Sequence, residues 1–392
     1  MKDKWYVLAK IFVFVLMFVL QTALSQPYQN GAARPPVTVK FSKNVELFGL
    51  ILHIDNGPDL LSNHDSVTIE NKRTTWQHWY QLLIMNYKRY RAFSDAPVIK
   101  LYRKYSKEGY FNDQFIKFLL QTEEVPFAVI RKDTDSSFIA AFSTRRDYRE
   151  GERLAKEFLK SFNSFYASVK FEKYLAENKR MYDLSVSDVR KHVSSMGFID
   201  LMETFYQKKF DSYIMVPSVN TLPTQGFGVS HLKLNRVYNV FGPFSFQSYK
   251  PDSLVSGFDY PERIDGLSIH EFGHSFVNPL IDLVPQSLID STEYLFREIE
   301  EVMKRQAYPS WKISLYEHFV RAGEVIIATK MGKDDEASAG LSSNIQKGYK
   351  YLPFIVDQLK EYDRMEIQSR SSIQEQIIVI IRRLLSKFPR TS

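Results

Sequence analysis

Residues 269–276 read Ile-His-Glu-Phe-Gly-His-Ser-Phe and contain the pattern H-E-x-x-H. Residues four apart on a helix lie on one face, so the imidazoles of His270 and His274 can reach one metal ion. Two neutral nitrogen ligands suit zinc, and a carboxylate beside them can take a proton from water that the metal activates. The spacing therefore predicts a Zn2+ site, with Glu271 as the catalytic general base.

The same stretch also fits a different structural role. Ser268 and Glu271 match S-x-x-E, the capping box of a helix start, in which Glu271 would only accept a bond from a backbone N–H. Apolar residues on both sides of the motif favour a longer helix instead. We predict that this helix runs from about Ile264 to Asn278 and ends before Pro279, which places the metal motif in a buried central position.

A catalytic zinc ion needs a third protein ligand. The pattern H-E-x-x-H-x-x-G-x-x-H is not continued, because Val277 stands at its glycine position and Leu280 at its third histidine, so we expect a downstream carboxylate. Glu293 has the spacing H-E-x-x-H-x18-E, whereas Glu317 and Glu324 belong to a helix predicted over 311–329. We favour Glu317, because it lies at the margin of an apolar stripe and carboxylates near a core are usually paired or metal-bound. The alternative for Glu317 is a surface salt bridge to Arg321, four residues later.

Hydrolysis at such a site also needs a hydrogen-bond donor for the oxyanion. The sequence does not choose among several candidates, and a structural role is the more typical one for His231. The candidates are Tyr316, His318, Arg321, His231 and Tyr260.

Residues 1–25 are typical of a secretory signal peptide. They combine three lysines among the first ten residues, an apolar run over 11–20 and the small-x-small sequence Ala-Leu-Ser at 23–25. An uncleaved membrane anchor is the alternative. The chain has no cysteine, which in an exported protein suggests a bacterial envelope or secreted protein without disulfides. We predict export to the periplasm, cell envelope or medium, with membrane contact only through this segment.

The formal net charge of +7 is mild for 392 residues, and the basic residues are scattered. No nucleic-acid-binding motif accompanies them, so we predict no nucleic-acid partner. The sequence leaves the oligomeric state open.

The chain is expected to be of the α+β class. After a flexible lead-in at 26–36, we predict a mainly helical portion over 37–210 and a catalytic portion over 211–392, the two forming one compact unit. Strand patterns occur at 212–219, 227–234 and 236–241, shortly before the H-E-x-x-H helix. The polar Gly/Ser-rich segment 332–345 is predicted to be a loop.

Segments 269–274 and 317–322 together resemble the gluzincin group of zinc metallopeptidases, whose third ligand is a Glu on a helix after the motif. The chain also resembles an uncharacterised family of exported bacterial proteins with H-E-F-x-H-S-F-x-N-P. Its matching stretches here are V-E-L-F at 45–48, A-P-V-I at 96–99 and H-S-F-V-N-P at 274–279.

These resemblances imply a mostly helical zincin-like fold, with a small mixed or antiparallel sheet beside the H-E-x-x-H helix. They also imply a peptidase that acts on a peptide or protein substrate. The Asn-Glu-x-x-Ser-Asp sequence of the thermolysin pattern does not follow, which leaves the third ligand open. The alternative function is an exported protein on the same scaffold that binds peptide or glycan without turning it over.

Overall fold

The computed structural model describes residues 37–193 and 196–390. The predicted signal peptide at 1–25 and lead-in at 26–36 lie outside these residues. No helix in the described part is both long and apolar enough to cross a membrane. The described chain is mostly helical and has a small mixed sheet, which confirms the α+β class.

The described residues divide into two compact units. The N-terminal unit comprises 37–193 and 210–264, and the C-terminal unit comprises 196–209 and 265–390. The predicted boundary at 210/211 grouped 211–264 with the zinc motif, whereas the structure groups them with the N-terminal unit. The reason is sheet pairing, since a strand near the start of the chain joins the strands after residue 211. A single compact body formed by the two predicted portions stays a prediction.

The N-terminal unit contains all six strands of the described residues and many short helices. Its elements in chain order are β1 (Val37–Val39), α1 (Lys43–Ser62), β2 (Ser66–Ile69), β3 (Lys72–Thr75), α2 (Trp76–Trp79), α3 (Gln81–Tyr90), α4 (Pro97–Lys107), α5 (Asn112–Leu119), α6 (Ser136–Ala140), α7 (Tyr148–Ser168), α8 (Phe171–Glu177), α9 (Lys179–Arg190), β4 (Ser212–Pro217), β5 (Gly226–His231) and β6 (Arg236–Phe241).

The main sheet has the strand order β1-β4-β6-β5. Strands β1, β4 and β6 are parallel, with Val37 beside Tyr213 and Tyr213 beside Val237, while β5 runs antiparallel to β6. Parallel strands covered on both faces are expected to be continuously apolar, and β4 is buried from Tyr213 to Pro217. Because β5 is antiparallel and the other strands are parallel, the sheet is mixed, which is one of the two arrangements predicted. Residues 232–234, predicted as the end of a strand, form a 3-10 turn instead.

Helix α1 is fixed to the end of β4 by one buried carboxylate. Glu46 accepts hydrogen bonds from the backbone N–H groups of Val219 (2.9 Å) and Asn220 (3.0 Å). Gly49 permits the close approach, because a Cβ there would lie 2.5 Å from the Cβ of Asn220. Burial raises the pKa of Glu46 to about 7. The stretch V-E-L-F at 45–48 therefore holds a helix against the sheet.

The C-terminal unit is helical. Its elements are α10 (Phe198–Tyr206), α11 (Pro261–Asp282, whose first four residues belong to the N-terminal unit), α12 (Gln286–Thr292), a 3-10 helix (Glu293–Glu298), α13 (Glu300–Arg305), α14 (Trp311–Lys330), α15 (Asp334–Gln346), α16 (Leu352–Tyr362), α17 (Met365–Gln368) and α18 (Ile373–Lys387).

Two glycines allow close packing around α14. A Cβ on Gly273 of α11 would lie 3.2 Å from Cγ1 of Val320, so this position keeps α11 and α14 near each other. A Cβ on Gly323 would lie 2.0 Å from the hydroxyl oxygen of Tyr206 on α10, whose ring stacks on Phe276 at 4.9 Å between centroids. The sequence G-H at 273–274 and A-G-E at 322–324 thus permits α10, α11 and α14 to pack together.

One predicted helix end and one predicted loop in this unit were wrong. Helix α11 continues through Pro279 to Asp282, because a proline in the last turn breaks only the bonds of that turn. The segment 332–345, predicted as a loop, largely forms α15. Three acidic residues in its first turn favour a helix N-terminus, and Ala337 and Asn344 are buried against the rest of the unit.

Candidate metal centre

Helix α11 places the zinc motif in its middle. The helix begins at Pro261, seven residues before Ser268, and Ser268 is fully buried. Ser268 is therefore not a helix cap, and the capping-box interpretation of the motif is wrong. His270 and Glu271 are buried, and the side chain of His274 is 18% exposed.

Two imidazole nitrogens and one carboxylate converge between α11 and α14. The Nε2 atoms of His270 and His274 lie 3.3 Å apart. Glu317 places Oε1 3.3 Å from Nε2 of His274 and Oε2 3.9 Å from Nε2 of His270. One ligand atom from each residue lies within 4.8 Å of the others, so the three can hold a single metal ion.

The opposite nitrogen of each imidazole is bonded to an acceptor. Nδ1 of His270 contacts Oε1 of Glu324, and Nδ1 of His274 lies 3.2 Å from Oδ1 of Asn278. These acceptors favour the tautomer with the proton on Nδ1, which directs both Nε2 lone pairs toward the Glu317 carboxylate. Lone pairs and a carboxylate facing one another repel unless a cation or proton lies among them. The donor set fits zinc, which takes imidazole nitrogen and carboxylate oxygen.

Arg321 is hydrogen-bonded to the carboxylate of Glu317. Its guanidinium donates to Oε2 of Glu317 at 3.3 Å and to Oδ1 of Asn344 at 3.2 Å. The same guanidinium lies 4.6 Å from the ring centroid of Tyr349. The predicted Glu317–Arg321 salt bridge is present, but both residues are buried, so it orients the carboxylate within the site and is not a surface pair.

The charges around the site keep its carboxylates ionised. Burial raises the pKa of Glu317, but its contacts with His274 and His270 and the positive charge of Arg321 outweigh burial, and the net pKa is well below the usual range. Burial likewise raises the pKa of Glu324, and His270 and Arg321 shift it to a net lower value. The site therefore presents two negative charges, which suits a divalent cation.

The three candidate third ligands occupy different places. Glu317 lies with the two Nε2 atoms, and Glu324 contacts the far side of the His270 ring. Glu293 is an exposed residue of the 3-10 helix and is not part of the group. The geometry thus agrees with the preference for Glu317, whose role as a metal ligand stays a prediction, as does the role of Glu271 as general base.

Four of the five predicted oxyanion donors are bonded to other groups. The bonds join the Tyr316 hydroxyl to Asp282 (2.5 Å), His318 Nδ1 to Ser314 O (2.7 Å), His231 Nε2 to Asp133 O (2.9 Å) and Arg321 to Glu317 (3.3 Å). His318 is completely buried, and burial lowers its pKa to about 4. His231 and Tyr260 belong to the N-terminal unit. The structure singles out none of the five as the donor.

Sequence reasoning missed three groups that orient the site. Asn278 follows His274 by four residues, so helical spacing alone could have predicted that it lies on the same face as His274. Glu324 was considered only as a ligand, although imidazole ligands commonly bond a carboxylate through their other nitrogen. The role of Asn344 could not be predicted from the sequence. It lies on α15, a segment whose polar composition predicted a loop.

Residues 37–380 match the family described as a domain of unknown function (DUF4932), and the chain belongs to this family. This confirms the predicted likeness to an uncharacterised family over most of the chain. The likeness to gluzincins stays a prediction. Comparisons with curated proteins and with solved structures give no significant match.

Proposed function

We propose that this chain is a zinc-dependent peptidase in which His270, His274 and Glu317 hold the metal ion. The observation that supports it is the convergence of two Nε2 atoms and a carboxylate, with each Nδ1 bonded to an acceptor. A zinc ion bound there would act as a Lewis acid, polarising the scissile carbonyl and lowering the pKa of water. We further propose that the peptidase is exported, on the basis of the signal-peptide pattern at 1–25.

The protein's own groups would move the proton and maintain the ligand geometry. Glu271 would accept a proton from the attacking water and donate it to the leaving amine nitrogen as the peptide C–N bond breaks. Glu324 and Asn278 fix the orientation of the two imidazoles through Nδ1. Arg321 fixes the carboxylate of Glu317 through a charge-assisted bond. Glu324, Asn278 and Arg321 each contact the side chain that they would orient.

Glu271→Gln tests the proposal, because it removes the base and keeps the size of the side chain. We expect hydrolysis of a broad peptide library to fall about a hundredfold or more, which is the usual contribution of general base catalysis. Zinc content, measured by atomic emission, should stay near that of the wild type. Glu262→Gln is the matched control, since Glu262 is an exposed residue of the same helix.

A fully active Glu271→Gln protein would refute the role of Glu271 and the proposed mechanism. A wild-type protein that binds zinc but cleaves no peptide in the library would favour the binding-protein alternative. A wild-type protein that takes up no added zinc would refute the metal site itself.

A further inference from the structure

The N-terminal unit contains a cleft of about 650 Å3, within the size range of small-ligand pockets. It lies between the segment 128–136, helix α7 and the turn that follows β5. Its apolar floor includes Val129, which is 54% exposed and so accessible to a ligand, together with Ala128, Ile139 and Leu159, which are at most 2% exposed. The side chain of Tyr148, which is 44% exposed, also lines the cleft.

Hydrogen bonds fix the walls of this cleft. The amide of Asn163 on α7 accepts from the N–H of Ala128 and donates to its carbonyl, both at 2.9 Å. Thr134 donates to the carbonyl of Gln121 at 2.7 Å and accepts at its own carbonyl from Lys233 Nζ at 2.9 Å. A ligand would therefore enter a largely preformed shape and lose little free energy in ordering it.

The polar lining is strongly basic. Five cationic side chains and one carboxylate, Glu152, line the cleft, and the cations are Arg131, Lys132, Lys156, Lys160 and Lys233. Two of these cations are compensated, since Arg131 pairs with Asp133 at 2.5 Å and Lys156 pairs with Glu152 at 2.9 Å.

In the part of the chain that the structure describes, the other three cations have no carboxylate partner. Lys132 and Lys160 are exposed and make no ion pair within the described residues, and Lys233 bonds only to backbone carbonyls. They project from three separate elements around one apolar floor. Clefts lined by one sign of charge focus the electric field and attract ligands of the opposite sign.

We propose that this cleft binds a sugar-sized organic anion that carries at least two carboxylate or phosphate groups. Two or more anionic groups match lysines that stand on different walls, and the apolar floor with Tyr148 suits the face of a sugar ring. Lysine recognises carboxylate and phosphate alike as a point charge, so both chemistries fit the same cleft. This inference is independent of the proposed peptidase activity.

Calorimetric titration of the full chain with trigalacturonate and with fructose 1,6-bisphosphate tests the two anion chemistries, and maltotriose is the neutral control. The decisive variant is Lys132→Gln/Lys160→Gln. The matched control is Lys72→Gln/Lys107→Gln, which removes the same charge at exposed positions of the same unit outside the cleft.

We expect at least one anionic probe to bind the wild type and maltotriose not to bind. The Kd should rise about tenfold or more in the cleft variant and less than about twofold in the control, because charged contacts are worth far more than general field effects at moderate salt. Glu152→Gln should tighten binding, since it removes the one carboxylate of the lining. A loss of folding would not produce this opposite change.

Three results would overturn the proposal. They are no binding of either anionic probe, equal weakening in the two double variants, and equal binding of maltotriose. Melting temperatures of the variants close to that of the wild type would show that all of them are folded.

Discussion

Glu317 and Glu324 lie seven residues apart on α14 but are predicted to affect zinc binding to different degrees. Glu317 faces the two Nε2 atoms at 3.3 and 3.9 Å, whereas Glu324 contacts the far nitrogen of His270 and is 26% exposed. The perturbation is therefore a pair of matched substitutions, Glu317→Gln and Glu324→Gln. Each keeps the size of the side chain and removes one negative charge.

The structure indicates the size of each effect. Loss of a carboxylate behind a ligand histidine typically weakens metal binding about 10- to 100-fold, or about 1.4 to 2.7 kcal/mol. Because water can partly replace the Glu324 side chain, which is only partly buried, we expect zinc binding to weaken about tenfold in Glu324→Gln. Glu317→Gln removes a proposed ligand and should weaken binding well beyond about a hundredfold, so that the purified protein retains little zinc.

The assay is competition for zinc against a chromophoric chelator at neutral pH. Glu293→Gln is the control, since this exposed glutamate also follows the motif but lies outside the group. Its Kd for zinc should equal that of the wild type. Stoichiometric zinc in Glu317→Gln together with its loss in Glu324→Gln would show that the two roles are reversed. Weakened binding in Glu293→Gln would refute the assignment of the third ligand altogether.

Two further predictions concern packing and buried charge. Burial raises the pKa of Glu46 from its ordinary value of 4.5 to about 7, so the stability it contributes is present below pH 4.5 and is lost as the pH rises to 7. The free energy of unfolding of the wild type minus that of Glu46→Gln, both measured with urea, should fall by about 3 kcal/mol between pH 4.5 and pH 7. A difference that does not change with pH would contradict the raised pKa of Glu46. Gly323→Ala should destabilise the protein by about 1 to 3 kcal/mol, because its Cβ would overlap the Tyr206 hydroxyl. Adding Tyr206→Phe should recover much of that loss in chemical denaturation, and no recovery would show that the strain has another source.

Much of the fold followed from local patterns. The apolar spacing around 311–329 matches α14, which spans Trp311–Lys330, and the short strand-like run at 236–241 matches β6. The order of the strands could not be predicted, because β1 joins β4 across almost the whole length of the N-terminal unit. Such pairing depends on which apolar faces must be buried together, and the pattern of one segment does not encode this.

Two of the stretches behind the family resemblance support the fold. Glu46 in V-E-L-F holds α1 to the end of β4, and Pro97 in A-P-V-I opens α4, with Val98 and Ile99 completely buried. The third stretch, H-S-F-V-N-P, contains His274 and its partner Asn278. The stretches behind the resemblance therefore contribute packing in two places and a candidate metal ligand in the third, and only the contacts distinguish these roles.

The sequence by itself determined that His270 and His274 share one face of a helix, because the geometry of consecutive residues fixes that relation. Only the tertiary structure decided which distant carboxylate joins them. The choice of Glu317 over Glu293 depends on the packing of α14 against α11, which Gly273 permits beside Val320. The same packing places Glu324 on the other side of the imidazole. Contacts between helices depend on the shapes of both surfaces, and spacing along the chain does not carry that information.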